Sequence, residues 1–251
     1  MLTIASSHRL VGSRHYAAAM PQRPRIDLNA DLGESAQRWA DGIDRALLTI
    51  VTSANVCTGA YAGDDDLLRA TCAEAVRLGV RIGAQVGYPD RSGFGREPME
   101  FGREALAREI RAQIEHLNKL AAPSGGEIAY VKPHGALYHR IIDDDEQARA
   151  VRDALDGLPL MGMAGTTPGG SAPEITEGFA DRGYASDGRL IPRTEPGALL
   201  TEPDAAAAQG VRLLDAGVDS ICVHSDTPGA VAIARAVRAA LEAVGATVDH
   251  P

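Results

Sequence analysis

Three short segments of the chain gather residue types suited to acid–base or phosphoryl chemistry. In IDLNAD, Asp27, Asn29 and Asp31 alternate with Ile26, Leu28 and Ala30. Alternate residues of a strand share a face, so the polar groups point one way and the aliphatic ones the other. Turning two carboxylates and an amide inward is costly unless they meet water, a metal or a substrate. The competing reading is a solvated edge strand. In AYVKPHG, Lys132 and His134 share a face, and Pro133 and Gly135 interrupt the strand so as to aim them into a loop. A cation beside an imidazole suits an oxyanion or a phosphoryl group, with His134 carrying a proton. In SICVHSDTPGA, Cys222, His224 and Asp226 alternate towards a strand end. Thr227-Pro228-Gly229 then opens a helix, whose N-terminus favours a carboxylate or phosphate. Asn55, Arg182 and Arg193 are weaker candidates, since Asn and Arg mostly decorate surfaces. Of the 25 basic residues only Lys119 and Lys132 are lysines, a second pointer to position 132.

The elements that must hold these residues follow from hydrophobic periodicity. Short apolar runs predict strands over 26–31, 48–56, 80–86, 128–133, 159–164, 175–180 and 220–224. Amphipathic stretches predict helices over 64–78, 103–121, 144–155, 203–216 and 228–244. In the second of these, Leu106, Ile110, Ile114 and Leu117 recur at spacings of three and four. Asp64 and Pro203 are plausible starts, and Gly79 and Gly217 plausible stops. Strands alternating with helices imply βαβ units and a largely parallel sheet. Seven strands without a linker favour one closed or nearly closed barrel over a doubly wound open sheet, and no phosphate-binding GxGxxG or GxxxxGK[ST] follows any strand. The segment 165–173 (GTTPGGSAP) reads as loop where a regular repeat would place a helix. At a barrel's C-terminal strand ends, residues such as Lys132 and His134 would face substrate.

Composition narrows the function classes. The chain has 251 residues, 45% hydrophobic and 24% charged, which is ordinary for a globular protein. Aromatics are only 4%, against stacking platforms for sugars or single-stranded nucleic acid. A net charge of −9 disfavours phosphate-backbone binding. No apolar run is long enough to span a membrane. Cys57, Cys72 and Cys222 are odd in number and widely spaced, which fits neither disulfides nor a zinc knuckle and points to a reducing, cytoplasmic setting. No acid precedes Asp27, whereas Arg9, Arg14, Arg23 and Arg25 do. The segment 1–24 therefore reads as a basic leader, either a disordered tail or a start placed too early with Met20 as initiator, ahead of a domain over 25–251.

The ordered motifs IDLNADLGES, TSAN with its following YAGD, GYPDRSGFGR, VKPHGALYH, FADRGYASDGRLIPR, EPGA and CVHSDTPGA resemble the LamB/YcsF family, the A subunit of ATP-dependent 5-oxoprolinase, over about residues 26–244. The resemblance implies an α/β fold, a single irregular (β/α)7–8 TIM-like barrel with parallel strands, of the glycoside hydrolase/deacetylase-like kind. It implies an ATP-dependent amidohydrolase that opens 5-oxoproline to L-glutamate, with ATP (and Mg) as co-substrate. It also implies two further subunits (B and C) in a complex, and neither nucleic acid nor membrane as a partner. Carried over residue by residue, Asp31, Lys132, His134 and His224 are the catalytic set. Asp31 would be the base or water-orienting group, and Lys132 and His134 would face the activated lactam oxygen or phosphoryl group. Asp27, Asn29, Asn55, Arg182, Arg193 and Asp226 would bind substrate or phosphate.

The chain also departs from the family pattern. Tyr61 and Gln85 stand where the family usually has histidines, and Ser225 replaces a glycine. Tyr and Gln are poor metal ligands and do not cycle a proton near neutral pH, which argues against a bound transition metal. Two alternatives follow from these exchanges. One is another lactam or amide hydrolase, or a deacetylase-like enzyme. The other is a non-catalytic paralogue.

Overall fold

The computed structural model describes residues 23–250, so nearly all of the expected leader over 1–24 lies outside the described residues. The first half runs β1 (Arg25–Leu32), α1 (Ala36–Ala40), α2 (Ile43–Leu48), β2 (Ser53–Cys57), α3 (Asp65–Leu78), β3 (Arg81–Val86), α4 (Arg103–Ala121) and β4 (Ile128–Pro133). The second runs α5 (Gly135–Asp143), α6 (Asp145–Ala154), β5 (Met161–Met163), β6 (Ile175–Phe179), α7 (Pro203–Asp215), β7 (Ser220–His224), α8 (Ala230–Ala243) and β8 (Thr247–Val248).

All neighbouring strands pair in parallel, in the order β4-β3-β2-β1-β7-β6-β5. The two ends of this path meet through one parallel bridge, Val131 to Leu160, where the Val131 N–H donates to Pro159 O at 2.9 Å. The sheet is thus a nearly closed barrel of seven strands, with β8 paired only to the start of β1. As expected, the β5–β6 connection holds no α-helix, only a 3-10 turn at Pro168–Gly170.

Three expectations from the sequence shift. The apolar run over 48–56 reads as one strand, but its beginning belongs to α2, which buries Leu47 and Leu48, and the strand starts at Ser53. A short apolar run has no periodicity that separates a buried strand from a buried helical turn. The helix α5 is not anticipated by the pattern; it begins directly after the strand end, with Leu137, Tyr138 and Ile141 buried at helical spacing. The strand expected over 159–164 is trimmed to three residues. Helix caps agree with the sequence: the Asp64 side chain accepts from Leu67 N–H, and Gly79 closes α3 at φ +71°.

The strand β1 lies between β2 and β7, which removes the edge-strand reading. Its aliphatic residues pack into the main core beneath the helices, and Asp27, Asn29 and Asp31 point into the barrel. The lower interior is correspondingly polar. Asp27 accepts from Ser53 (2.7 Å), Thr52 (2.6 Å) and Ser220, and Asn29 donates to Ser220 (2.7 Å) and Glu177 (3.1 Å). Tyr130 also turns inward and donates to Asn55 Oδ1 at 2.7 Å. Its ring has room because Gly83 lies beside it on β3: a Cβ there would overlap the ring.

Candidate active site

The C-terminal ends of the parallel strands surround a cavity of about 480 Å³. Asp31 of β1, Lys132 of β4, Phe179 of β6 and His224 of β7 line it, with His134 at the entry to α5. Loops add Glu34, Arg96, Arg182, Arg193 and Asp226. This is where a parallel barrel gathers reactive groups, since each strand delivers one side chain to a common mouth. Asp31, Lys132, His134, His224 and Asp226 thus come together as expected from strand alternation, and Arg182 and Arg193 join them as the family resemblance implies. Asp27, Asn29 and Asn55, expected to bind substrate or phosphate, do not line the cavity. They are fully buried below the cavity floor, and protein groups take their hydrogen bonds. Asn55 Nδ2 donates to both Asn29 Oδ1 and Asp31 Oδ1 at 2.7 Å, so it positions the floor.

Lys132 is the hub of that floor. Its buried ammonium lies 2.9 Å from Asp31 Oδ1, 2.7 Å from Glu177 Oε1 and 3.2 Å from Cys222 Sγ. An ammonium has three donors, so these partners occupy it fully. The expectation that Lys132 faces a phosphoryl group meets this geometry: its charge goes to the two carboxylates. Burial alone would raise the Asp31 carboxyl, but Lys132 against it holds it well below the usual carboxylate range. Glu177 is fixed in addition by Tyr138, whose hydroxyl donates to Oε2 at 3.0 Å.

His224 is oriented from behind. Its Nδ1 is 2.8 Å from Asp181 Oδ1, its backbone N–H donates to Asp181 Oδ2 (2.9 Å), and Thr227 donates to the same oxygen at 2.6 Å. Burial raises Asp181, yet His224 beside it and these hydrogen bonds outweigh it and keep the carboxyl low. Nδ1 therefore carries the proton, leaving Nε2 towards Asp31 Oδ2 at 3.9 Å, beyond hydrogen-bond length. An imidazole with one nitrogen held by a carboxylate and the other open to a cavity is an effective proton carrier.

His134 is held differently. Its Nε2 lies 3.0 Å from Phe94 O, and Gln85 Nε2 lies 3.1 Å from its Nδ1. A carbonyl only accepts, so Nε2 bears the proton and Nδ1 accepts from the Gln85 amide. Tyr61 stacks flat on the ring, with centroids 3.9 Å apart at 6°. The Tyr61 hydroxyl donates to Gln85 O at 3.3 Å. Burial draws His134 down to about 4, so it stays neutral. Tyr61 and Gln85 therefore both lie against His134: Tyr61 covers a face of the ring, and Gln85 together with Phe94 O fixes one tautomer.

Glu34 reaches the cavity from the turn after β1. Its Oε2 pairs with Arg38 at 3.0 Å, while Oε1 is buried without a hydrogen-bond partner, 3.6 Å from His134 Nδ1. Burial, reinforced by the Asp31 charge, pushes it up to about 8. Asp226 joins two loops, at 2.8 Å from Arg96 and 3.4 Å from Arg193.

Two donor groups are close enough to suggest a metal: Asp31, Cys222 and His224, and Asp31, Glu34 and His134. The chemistry of neither set suits a cation. Lys132 already lies against Asp31 and Cys222, and burial holds the Cys222 thiol far above its usual range. Both ring nitrogens of His134 are engaged.

The sequence gives Glu34, close to Asp31 in DLGES, no role, and does not single out Glu177 or Asp181. Glu177 shares a strand face with Ile175 and Phe179, an acid set between two apolar residues, and that placement is the signal that could have found it. In FADR the eye falls on Arg182, whereas its neighbour Asp181 orients His224.

Known proteins share both the sequence and the barrel. The model of the LamB/YcsF family matches residues 26–251. A protein of Streptomyces avermitilis, named as the A subunit of 5-oxoprolinase, is 45% identical over 245 residues, covering 89% of this chain and 98% of that one. One of the same name from Mycolicibacterium paratuberculosis is 44% identical over 245 residues, covering 89% and 97%. Among solved structures, the lactam utilization protein of Thermus thermophilus superposes with a TM-score of 0.82 at 35% identity, covering 90% of this chain and all of that one. The catalytic domain of a peptidoglycan N-acetylglucosamine deacetylase from Eubacterium rectale shares the fold alone, at TM-score 0.56 and 12% identity over 94% of this chain and 93% of that one. By sequence match and by the shared barrel, the chain belongs to the LamB/YcsF family.

Proposed function

We propose that the chain is the A subunit of a 5-oxoprolinase, hydrolysing the cyclic amide of 5-oxoproline to L-glutamate. The observation that carries the reading is the Asp181–His224 pair, open at Nε2 beside the charged Asp31. The names of the relatives support the substrate, as does the name of the Thermus structure. Water placed between His224 and the ring carbonyl gives its proton to Nε2 while its oxygen bonds to the carbonyl carbon. Asp31 and Asp181 stabilise the imidazolium that forms. The proton passes to the ring nitrogen as the C–N bond breaks, releasing the amine and the carboxyl group of glutamate.

A lactam carbonyl is a poor electrophile. ATP, with Mg, is therefore read as a co-substrate in a complex with two partner subunits, B and C: its γ-phosphoryl group passes to the carbonyl oxygen as ADP leaves, and phosphate departs from that oxygen after water has added to the carbon. His134, neutral and fixed, is read as a wall of the site, and the site as free of a resident metal. The test is glutamate release from 5-oxoproline and ATP by this chain combined with the partner subunits. H224Q and D181N are expected to lower kcat by roughly 100- to 10,000-fold with folding intact. Normal turnover by the partners without this chain, or by H224Q, would sink the reading.

A further inference from the structure

One buried arginine on the cavity wall has no counter-ion. Arg182 is only 5% exposed, and its guanidinium is anchored by backbone alone: Nε donates to Ala198 O (3.1 Å) and Nη2 to Ile191 O (2.8 Å). Among the described residues no carboxylate pairs with it and Nη1 has no acceptor, although the residue lines the cavity. The nearby acids are committed elsewhere. Asp226 is shared by Arg96 and Arg193, and Asp181 by His224 and Thr227. Burial, then the charge of Arg193, draws Arg182 down to about 10, the mark of a cation enclosed without its anion.

The two carbonyls also fix the plane of the guanidinium, so its free end is pre-aimed and loses little entropy on binding. Tyr138, Phe179, Leu190, Ile191 and Pro192 add apolar surface to the cavity, beside the basic side chains of His139, Arg189 and Arg193. An anion that fits is small and planar, and is attached to a compact apolar ring.

We propose that Arg182 determines specificity by taking the ligand's carboxylate, so that the cavity selects a cyclic amide bearing a ring carboxylate over the same ring without one. This rests on the lactam reading of the site. Arg193, held on Asp226, closes the rim.

The test compares 5-oxoproline with 2-pyrrolidinone, which lacks the carboxylate, by calorimetric binding to the full chain and by KM in the complex. The wild-type protein is expected to prefer 5-oxoproline by at least about tenfold. R182Q is expected to raise KM for 5-oxoproline roughly 10- to 100-fold with a smaller effect on kcat, and to leave 2-pyrrolidinone binding unchanged. R182K, which keeps the charge but not the fork, is expected to fall between them and guards against a folding defect. An unchanged preference in R182Q and R182K overturns the proposal, as does a wild-type chain that does not distinguish the two rings. Inorganic phosphate binding more tightly than 5-oxoproline, and lost in R182Q, also overturns it in favour of a phosphoryl pocket. A complex that releases no glutamate rejects the proposed activity, and the binding preference still judges Arg182 on its own.

Discussion

Removing the ammonium of Lys132 would leave Asp31 and Glu177 buried with no cation in contact. Breaking a buried pair from one side costs about 3–5 kcal/mol. We therefore expect K132M to lose stability of that order in urea unfolding, and K132M/D31N to recover part of it. Glu34 gives a prediction of opposite origin. Its carboxyl ionises near 4.5 in an unfolded chain but near 8 here. Between those values the unfolded chain sheds a proton that the folded chain keeps, so the Glu34 contribution is complete below about 4.5 and is lost as pH rises towards 8. E34Q should therefore gain stability relative to wild type between pH 5 and pH 8, by an amount on the order of a few kcal/mol. Melting curves across that range check it, and a constant difference would contradict it. At this scale the sequence was readable where types were unusual, as at Lys132. It was unreadable where an ordinary acid became important only through its neighbour, as at Asp181.

Strands and helices decide which side chains share a space. The alternation of β1 foretold that Asp27, Asn29 and Asp31 share a face, but the distance of each from the mouth depends on its height along the strand. Asp31 reaches the cavity, whereas Asp27 lies two steps further down, beside Ser220. Gly83 has the complementary role on β3, leaving space for Tyr130 in the interior. Filling that space displaces an aromatic ring whose hydroxyl holds Asn55, which in turn holds Asp31. We expect G83A to cost about 1–3 kcal/mol by urea unfolding, the usual penalty for overpacking a core. Turnover should fall more than melting temperature alone would explain. Helix α5 escaped sequence reading because Pro133 and Gly135 read as a break, yet a helix can start directly after such a break once its apolar face has a partner.

The barrel is not equally strong around its circumference. Between β4 and β5 it is joined by one bridge, and β5 contributes only three residues, while β1 pairs through Asn29–Leu32 with β2 and through Asp27–Asp31 with β7. Local opening begins where few backbone hydrogen bonds must break together. Hydrogen exchange is therefore expected to be faster over residues 159–164 than over β1, β2 or β7. Equal protection around the barrel would refute this. The seam lies beside the β5–β6 connection that the sequence already marked as lacking a helix.

The sequence by itself determined the alternation of strands and helices, the inward polar face of β1, the barrel class and the family, because periodicity and motif order are properties of neighbours along the chain. Only the tertiary structure decided that Lys132 is committed to Asp31 and Glu177, that His134 is fixed by Tyr61 and Gln85, and that Asp181 orients His224 while Arg182 is left without a counter-ion. Those assignments depend on hydrogen bonds and burial between residues tens of positions apart. Charge state and free valence at a site are set by such contacts, which no spacing along a single chain encodes.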